Sequence, residues 1–295
     1  MSASQKSALG VWASLGVGAA AALVGLLPWL VHGMQLPLQN LGERTTGPAD
    51  IVLLPFSQYA LTVIAALLIV GAAAAGIASR SVRVRFGFVV LGMLVVQAIA
   101  IIQTAIVVRL ILQPRTDSAV YLAFLVAVSV LAVIIGVIVA VLTARAPRAG
   151  AVIGFAITAV LVSSWLGELL APIGSIDTPS SFVVFVLRWT GPVLVGLAIA
   201  WAGIGSAGRI IAALAALVIL WIGPALITAV QSAAGSRVLA HSIPDMLEYA
   251  QQVFGSAAAM PELVVPPLLV AVAVAAAGLV GRALARHRRE PITAE

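Results

Sequence analysis

The sequence predicts an all-α integral membrane bundle of about eight transmembrane helices, with both termini on the cytoplasmic side. Three observations carry that expectation. Hydrophobic residues make up 62% of the chain and charged residues only 9%, whereas soluble domains carry about 25% charged residues. Apolar stretches of about 20 residues, the length that crosses a bilayer, recur from end to end. Basic residues gather at alternate ends of those stretches.

A water-soluble fold cannot cover this much apolar surface, so the solvent is lipid and a single transmembrane domain is expected over residues 1–295. The expected spans are approximately 8–31, 55–79, 86–112, 119–143, 150–171, 181–204, 209–231 and 263–283. The first resembles a secretory leader. Its apolar core is longer than the roughly 7–15 residues of a leader, and no small-x-small cleavage pattern follows. The chain instead continues Val31-His32-Gly33-Met34-Gln35, so an uncleaved first span is expected.

Orientation comes from Lys and Arg in the short connections. Lys6, Arg80, Arg83, Arg85, Arg145, Arg148, Arg209, Arg282, Arg286, Arg288 and Arg289 fall at one end of the spans. Most acidic residues fall at the other end: Glu43, Asp50, Asp117, Glu168, Asp177, Asp245, Glu248 and Glu262. The basic end is assigned to the cytoplasm. Its turns are short, which predicts three antiparallel hairpins (spans 2–3, 4–5 and 6–7) flanked by the first and last spans. The Ala/Val/Leu/Gly-heavy vocabulary, with many Arg and one Lys, places the chain in the inner membrane of a bacterium with a GC-rich genome.

The opposite face carries two longer loops, 32–54 and 232–262. In the second, Ser242-Ile243-Pro244-Asp245 has the form of a helix start, with a Ser cap, an early Pro and an acidic residue. Apolar residues follow at Ile243, Leu247, Ala250 and Phe254, while Asp245, Glu248, Gln251 and Gln252 form a polar face. This predicts a short amphipathic helix on the outer membrane surface or capping the bundle, closed by Gly255.

Functional candidates concentrate in the outer half of the later spans. Trp189-Thr190-Gly191-Pro192 in the sixth span is echoed by Trp221-Ile222-Gly223-Pro224 in the seventh. A proline removes one backbone donor and crowds the preceding turn, so both helices are expected to kink. Facing kinks at Gly191, Pro192, Gly223 and Pro224 could open a vestibule walled by Trp189 and Trp221; equally, they could serve packing alone. Ionisable residues inside a span are functional candidates by default. Glu168 and Arg188 sit on consecutive spans and are positioned to pair, with snorkelling to the headgroups as the ordinary alternative. Gln97, near the bilayer centre, is either a bond to a neighbouring helix or a cavity wall.

Several classes find no support. The chain has no Cys, which removes thiolate chemistry and Cys-ligated metals. His32, His241 and His287 are too scattered for a histidine metal site. No Gly-x-Ser-x-Gly, His-Glu-x-x-His or phosphate-binding Gly-Lys-Ser/Thr occurs. No catalytic residue, metal or cofactor is therefore expected. The net charge of +6 reads as topology rather than nucleic-acid binding. The expected partners are the lipid bilayer and, if any, other membrane subunits. The leading functional expectation is a permease-like protein. It would handle a small or amphiphilic solute in an outward-facing cavity between the third, fifth, sixth and seventh spans. The alternative is a non-transporting scaffold or accessory subunit of an envelope complex.

Overall fold

In lipid, each backbone N–H must bond within its own segment, so long apolar runs become helices. A computed structural model of the chain describes residues 10–37, 39, 42, 50–175, 178–236 and 242–287. Lys6, His241, Arg288 and Arg289 lie outside the described residues, as do Glu43, Arg44, Asp177 and Arg237. Among the described residues, eight helices are long and apolar enough to cross a membrane: α1 (Val11–Val31), α2 (Leu61–Ser81), α3 (Phe86–Ile111), α4 (Thr116–Arg145), α5 (Arg148–Leu170), α6 (Ser181–Ala202), α7 (Ala207–Gly235) and α9 (Pro261–His287). A ninth, α8 (Ile243–Ala259), is the amphipathic one. Their surface inverts the soluble rule that large apolar side chains turn inward. Leu110 is 77% and Phe182 72% exposed, while Ser14, Gln97, Thr104 and Ser129 are buried. The chain is a polytopic helical membrane protein.

Arginines cluster at one end of the bundle. Arg80 donates to the Ala146 carbonyl, Arg145 lies 4.9 Å from the Phe86 ring centroid, and Arg80 and Arg148 lie 5.3 and 5.9 Å from that of Trp201. Arg282 donates to the carbonyls of Ala200 and, at 2.7 Å, Trp201. These bonds satisfy carbonyls at helix C-termini that have no partner within the helix.

Packing departs from the hairpin expectation. Helices joined by short turns touch only lightly in α2–α3 and α6–α7, and the closest packing is α2 against α4, α1 against α3 and α6 against α9. α1 is not a flank: it is wedged among α2, α3 and α5, and Trp165 on α5 donates its indole N–H to the Gly25 carbonyl at 2.8 Å. A turn fixes which ends meet, but small residues decide which faces can approach. A Cβ added at Gly25 would lie 2.6 Å from the Gly71 Cα, so Gly there is what lets α1 and α2 touch backbone to backbone. The last span, α9, does lie at the periphery, chiefly on α6.

Residues 50–56, the end of the first long loop, are not a surface excursion. α2 starts at Leu61 rather than near residue 55, because Val52, Leu54 and Phe56 are a buried loop. They fill the space among α1, α2, α3 and α4, joining Leu26, Ile64, Val108 and Leu125 in one core. A loop inside a membrane bundle needs its backbone satisfied. Side chains supply that. Gln103 Oε1 accepts from the Leu53 N–H and Thr104 Oγ1 from the Leu54 N–H, both at 3.0 Å. Gln103 Nε2 and the Trp29 indole donate to the Ile51 and Val52 carbonyls, both at 2.8 Å.

α8 is capped as expected, with Ser242 Oγ accepting from the Asp245 N–H at 3.4 Å. It runs on through Gly255 to Ala259, which corrects the expected end. It also does not lie flat on the surface. Its half-buried stripe of Met246, Ala250, Val253, Phe254 and Ala257 packs along α7, and the Trp221 indole donates to the Ala258 carbonyl at 2.9 Å. Gln231, at the outer end of α7, bonds Thr62 and Gln58 at the start of α2. Trp221 lies ten residues further in, about 15 Å along the helix, or half a bilayer core. α8 therefore runs back beside α7 as far as the level of Trp221, where Met260-Pro261 turns the chain into α9.

Candidate functional site

α5 stands between α6 and α7 and holds them apart. A Cβ at Gly191 would lie 3.0 Å from the Ala159 carbonyl oxygen, and one at Gly223 would lie 3.1 Å from the Val160 side chain. Each Trp-x-Gly-Pro segment thus uses its glycine to seat one helix against the same turn of α5. Because α6 and α7 meet α5 far more closely than each other, a cavity of about 390 Å³ remains between them. That volume falls within the roughly 300–1,000 Å³ of ordinary small-molecule sites. Ala159, Ser163 and Ser164 of α5 form one wall, Arg188 and Pro192 of α6 a second, and Trp221, Pro224 and Thr228 of α7 a third. Ala257 of α8 and Leu263, Val264 and Pro267 of α9 complete it.

The prolines shape the chemistry of these walls. Helices α6 and α7 both run on through their prolines. Pro192 has no N–H to give the Arg188 carbonyl, and Pro224 none to give the Leu220 carbonyl; Arg188 and Leu220 both line the cavity. Nearby hydroxyls turn to local carbonyls, Thr190 to Val186 at 2.7 Å and Thr228 to Pro224 at 2.9 Å.

Arg188 is the one charged side chain lining this cavity among the described residues. Its guanidinium lies 5.1 Å from the ring centroid of Trp189, which in turn meets Phe185 edge-on at 6.3 Å. No carboxylate pairs with it among the described residues. The expected Glu168–Arg188 pair is not formed. Glu168 is buried beneath the turn that follows α5, where Oε2 accepts from the Ile173 N–H at 3.3 Å and Oε1 has no partner. The turn that Glu168 holds carries it away from α6. Gln97 is also absent from the cavity. It is buried between α3 and α2, donating to the Leu68 carbonyl at 2.8 Å, so α3 forms no wall. Trp189 stands outside the lining and Trp221 within it.

Of the sequence candidates, then, Arg188, Gly191, Pro192, Trp221 and Pro224 line one cavity; Gly223 seats α7 beside it; Glu168 and Gln97 serve packing elsewhere. The contribution of α8 and α9 went unread. The Pro266-Pro267 pair in the last span is the signal that could have shown it, because Pro267 lines the cavity as Pro192 and Pro224 do. Among the described residues, no group of three or more acidic or histidine side chains is placed to hold a metal ion.

Fold and surface define a polytopic α-helical integral membrane protein with a small cavity between α5, α6 and α7. Comparison with known proteins yields no matching family model, no similar curated protein and no similar solved structure.

Proposed function

We propose that this protein is a permease-type membrane protein that accepts a small or amphiphilic solute in the cavity bounded by α5, α6, α7, α8 and α9. In this reading it is not an enzyme, and it resides in the bacterial inner membrane with its arginine-rich end in the cytoplasm. The observation that carries it is Arg188: a cation with no carboxylate partner among the described residues, at the wall of a cavity between apolar helices. Holding such a charge at membrane depth is costly, and it is usual at substrate and ion pathways. Trp221 and the two prolines supply a rigid apolar surface below it. The test is movement of a fluorescent anionic lysolipid between leaflets of proteoliposomes. Wild-type protein should accelerate it over empty vesicles, and Arg188→Gln should slow it by about tenfold or more, the size of a lost charge-assisted hydrogen bond.

A scaffold or accessory subunit is the second reading. Its support is the outward face of α8, where Gln251 and Gln252 are exposed beside the apolar bundle. Polar side chains facing lipid are costly, and a neighbouring subunit would cover them. A transfer rate equal to that of empty vesicles would favour this reading over the first.

A further inference from the structure

The two halves of the chain share one packing plan. In the first, α1 packs on α2 and α3, α2 packs chiefly on α4, and α1 does not meet α4. In the second, α5 packs on α6 and α7, α6 packs chiefly on α9, and α5 does not meet α9. Light contacts match as well, with α2–α3 and α3–α4 mirrored by α6–α7 and α7–α9. Directions correspond. α9 descends alongside α6, since Gly196 abuts Ala271 and Ala200 abuts Gly278, just as α4 descends with α2.

Small residues repeat the plan in detail. α2 has Gly71 and Gly76 and α6 has Gly191 and Gly196, the same spacing. Gly71 faces Ala21 and Gly25 of α1, and Gly191 faces Ala159 of α5, the corresponding helix. Gly76 faces Ala140 and Thr143 of α4, and Gly196 faces Ala271 and Val274 of α9. α1 has Gly18 and Trp29, α5 has Gly154 and Trp165, again at equal spacing, and both indoles donate to a carbonyl of another segment. The units sit side by side without a closed twofold, because α2 packs on α5 whereas α6 does not reach α1.

They differ in what fills the middle. In the first unit, the α1–α2 connection sends Val52, Leu54 and Phe56 into the space among the four helices, each fully buried. In the second, the α5–α6 connection is short, and none of its described residues, 171–175 and 178–180, is buried. The corresponding space among α5, α6, α7 and α9 is the cavity, with α8 as an added strap.

We infer that the chain is a tandem pair of one four-helix unit, that the cavity is the counterpart of the volume plugged by residues 52–56, and that it takes an extended apolar chain ending in an anionic head at Arg188. The plug shows the shape such a space accepts, a single narrow apolar strand entering from the outer side. Arg188 and the absence of an acidic lining residue among the described residues fix the sign of the head. The ligand class is a single-chain anionic amphiphile. This rests on the permease reading for its biological use, but binding is tested without transport, so a bound probe that is not moved would overturn the permease reading alone.

The experiment titrates dibrominated stearate into the full-length protein in maltoside detergent and reads tryptophan fluorescence. The Trp221 signal is the difference between the wild type and Trp221→Phe. The methyl ester of the same fatty acid is the neutral control. Saturable quenching of Trp221 by the acid is expected, with the ester at least about tenfold weaker and Arg188→Gln weakening the acid to the level of the ester. Ser163→Phe, which places a ring in the cavity, should abolish quenching by both. Should that variant not fold, the acid–ester comparison in the wild type and Arg188→Gln still decides. No saturable quenching, equal affinity for acid and ester, or quenching unchanged in folded Ser163→Phe would each overturn the inference.

Discussion

Replacing Trp221 by Phe keeps most of the ring and removes one donor. That donor ties α8 to α7: the indole N–H reaches the Ala258 carbonyl at 2.9 Å. Ala258 lies in the last turn of α8, where carbonyls lack a partner within the helix, so nothing nearby replaces the bond. Side-chain hydrogen bonds between membrane helices contribute about 0.6 kcal/mol on average and about 1.7 at most. At about 1.4 kcal/mol per factor of ten, losing this one should raise the fraction of α8 swung away from α7 by about 3-fold to 15-fold. The chain has no Cys, so Ala257→Cys gives a single reporter thiol on the cavity wall, half-buried on the inner face of the strap. The assay is the initial rate of labelling of that thiol by a water-soluble maleimide in membranes. The rate should rise by the same factor in the Trp221→Phe background, with the unfolding temperature little changed. An equal rate in both backgrounds would refute the idea that the indole holds α8 in place.

Three further outcomes follow from packing. Gly196→Leu forces a side chain into α9, where even a Cβ would lie 2.6 Å from the Ala271 carbonyl oxygen; it should cost at least about 1–3 kcal/mol, seen as a lower melting temperature in detergent. Phe56→Ala empties the largest fully buried side chain of the loop plug and should cost about 3–5 kcal/mol by the same measurement. Gln97→Leu removes a buried oxygen that has no partner and one bond to Leu68, whose carbonyl keeps its helical donor. It should shift stability by less than about 1 kcal/mol and leave lysolipid transfer unaltered.

What the sequence disclosed, and what it hid, follows from the kind of signal each feature carries. Hydropathy is a local property summed over a span, and it located the helices. It failed at residues 52–56, because an apolar loop buried among helices has the same composition as the helix that follows it. The Ser242 cap and the helical spacing after it revealed α8, but not its depth, which is set by Trp221 from another helix. Short turns suggested hairpins, whereas the glycines of α1, α2 and α6 choose the real neighbours. The Trp-x-Gly-Pro echo marked one cavity wall in each of two helices. The Glu168–Arg188 pair failed because proximity in sequence says nothing about which way a helix-terminal carboxylate turns, and here it turns to cap its own loop. The repeat between halves was masked because Ala, Val and Leu substitute freely at lipid-facing positions, leaving only the glycine spacing and the two tryptophans in register.

The most direct test of the cavity and its ligand is an experimental density map of the protein in native-lipid nanodiscs. An elongated density is expected between Ala159, Gly191 and Trp221, ending within hydrogen-bonding distance of the Arg188 guanidinium, with residues 52–56 filling the matching space in the first half. Side chains of α6 and α7 packed together with no room between them, or Arg188 paired with a carboxylate of the chain itself, would contradict it.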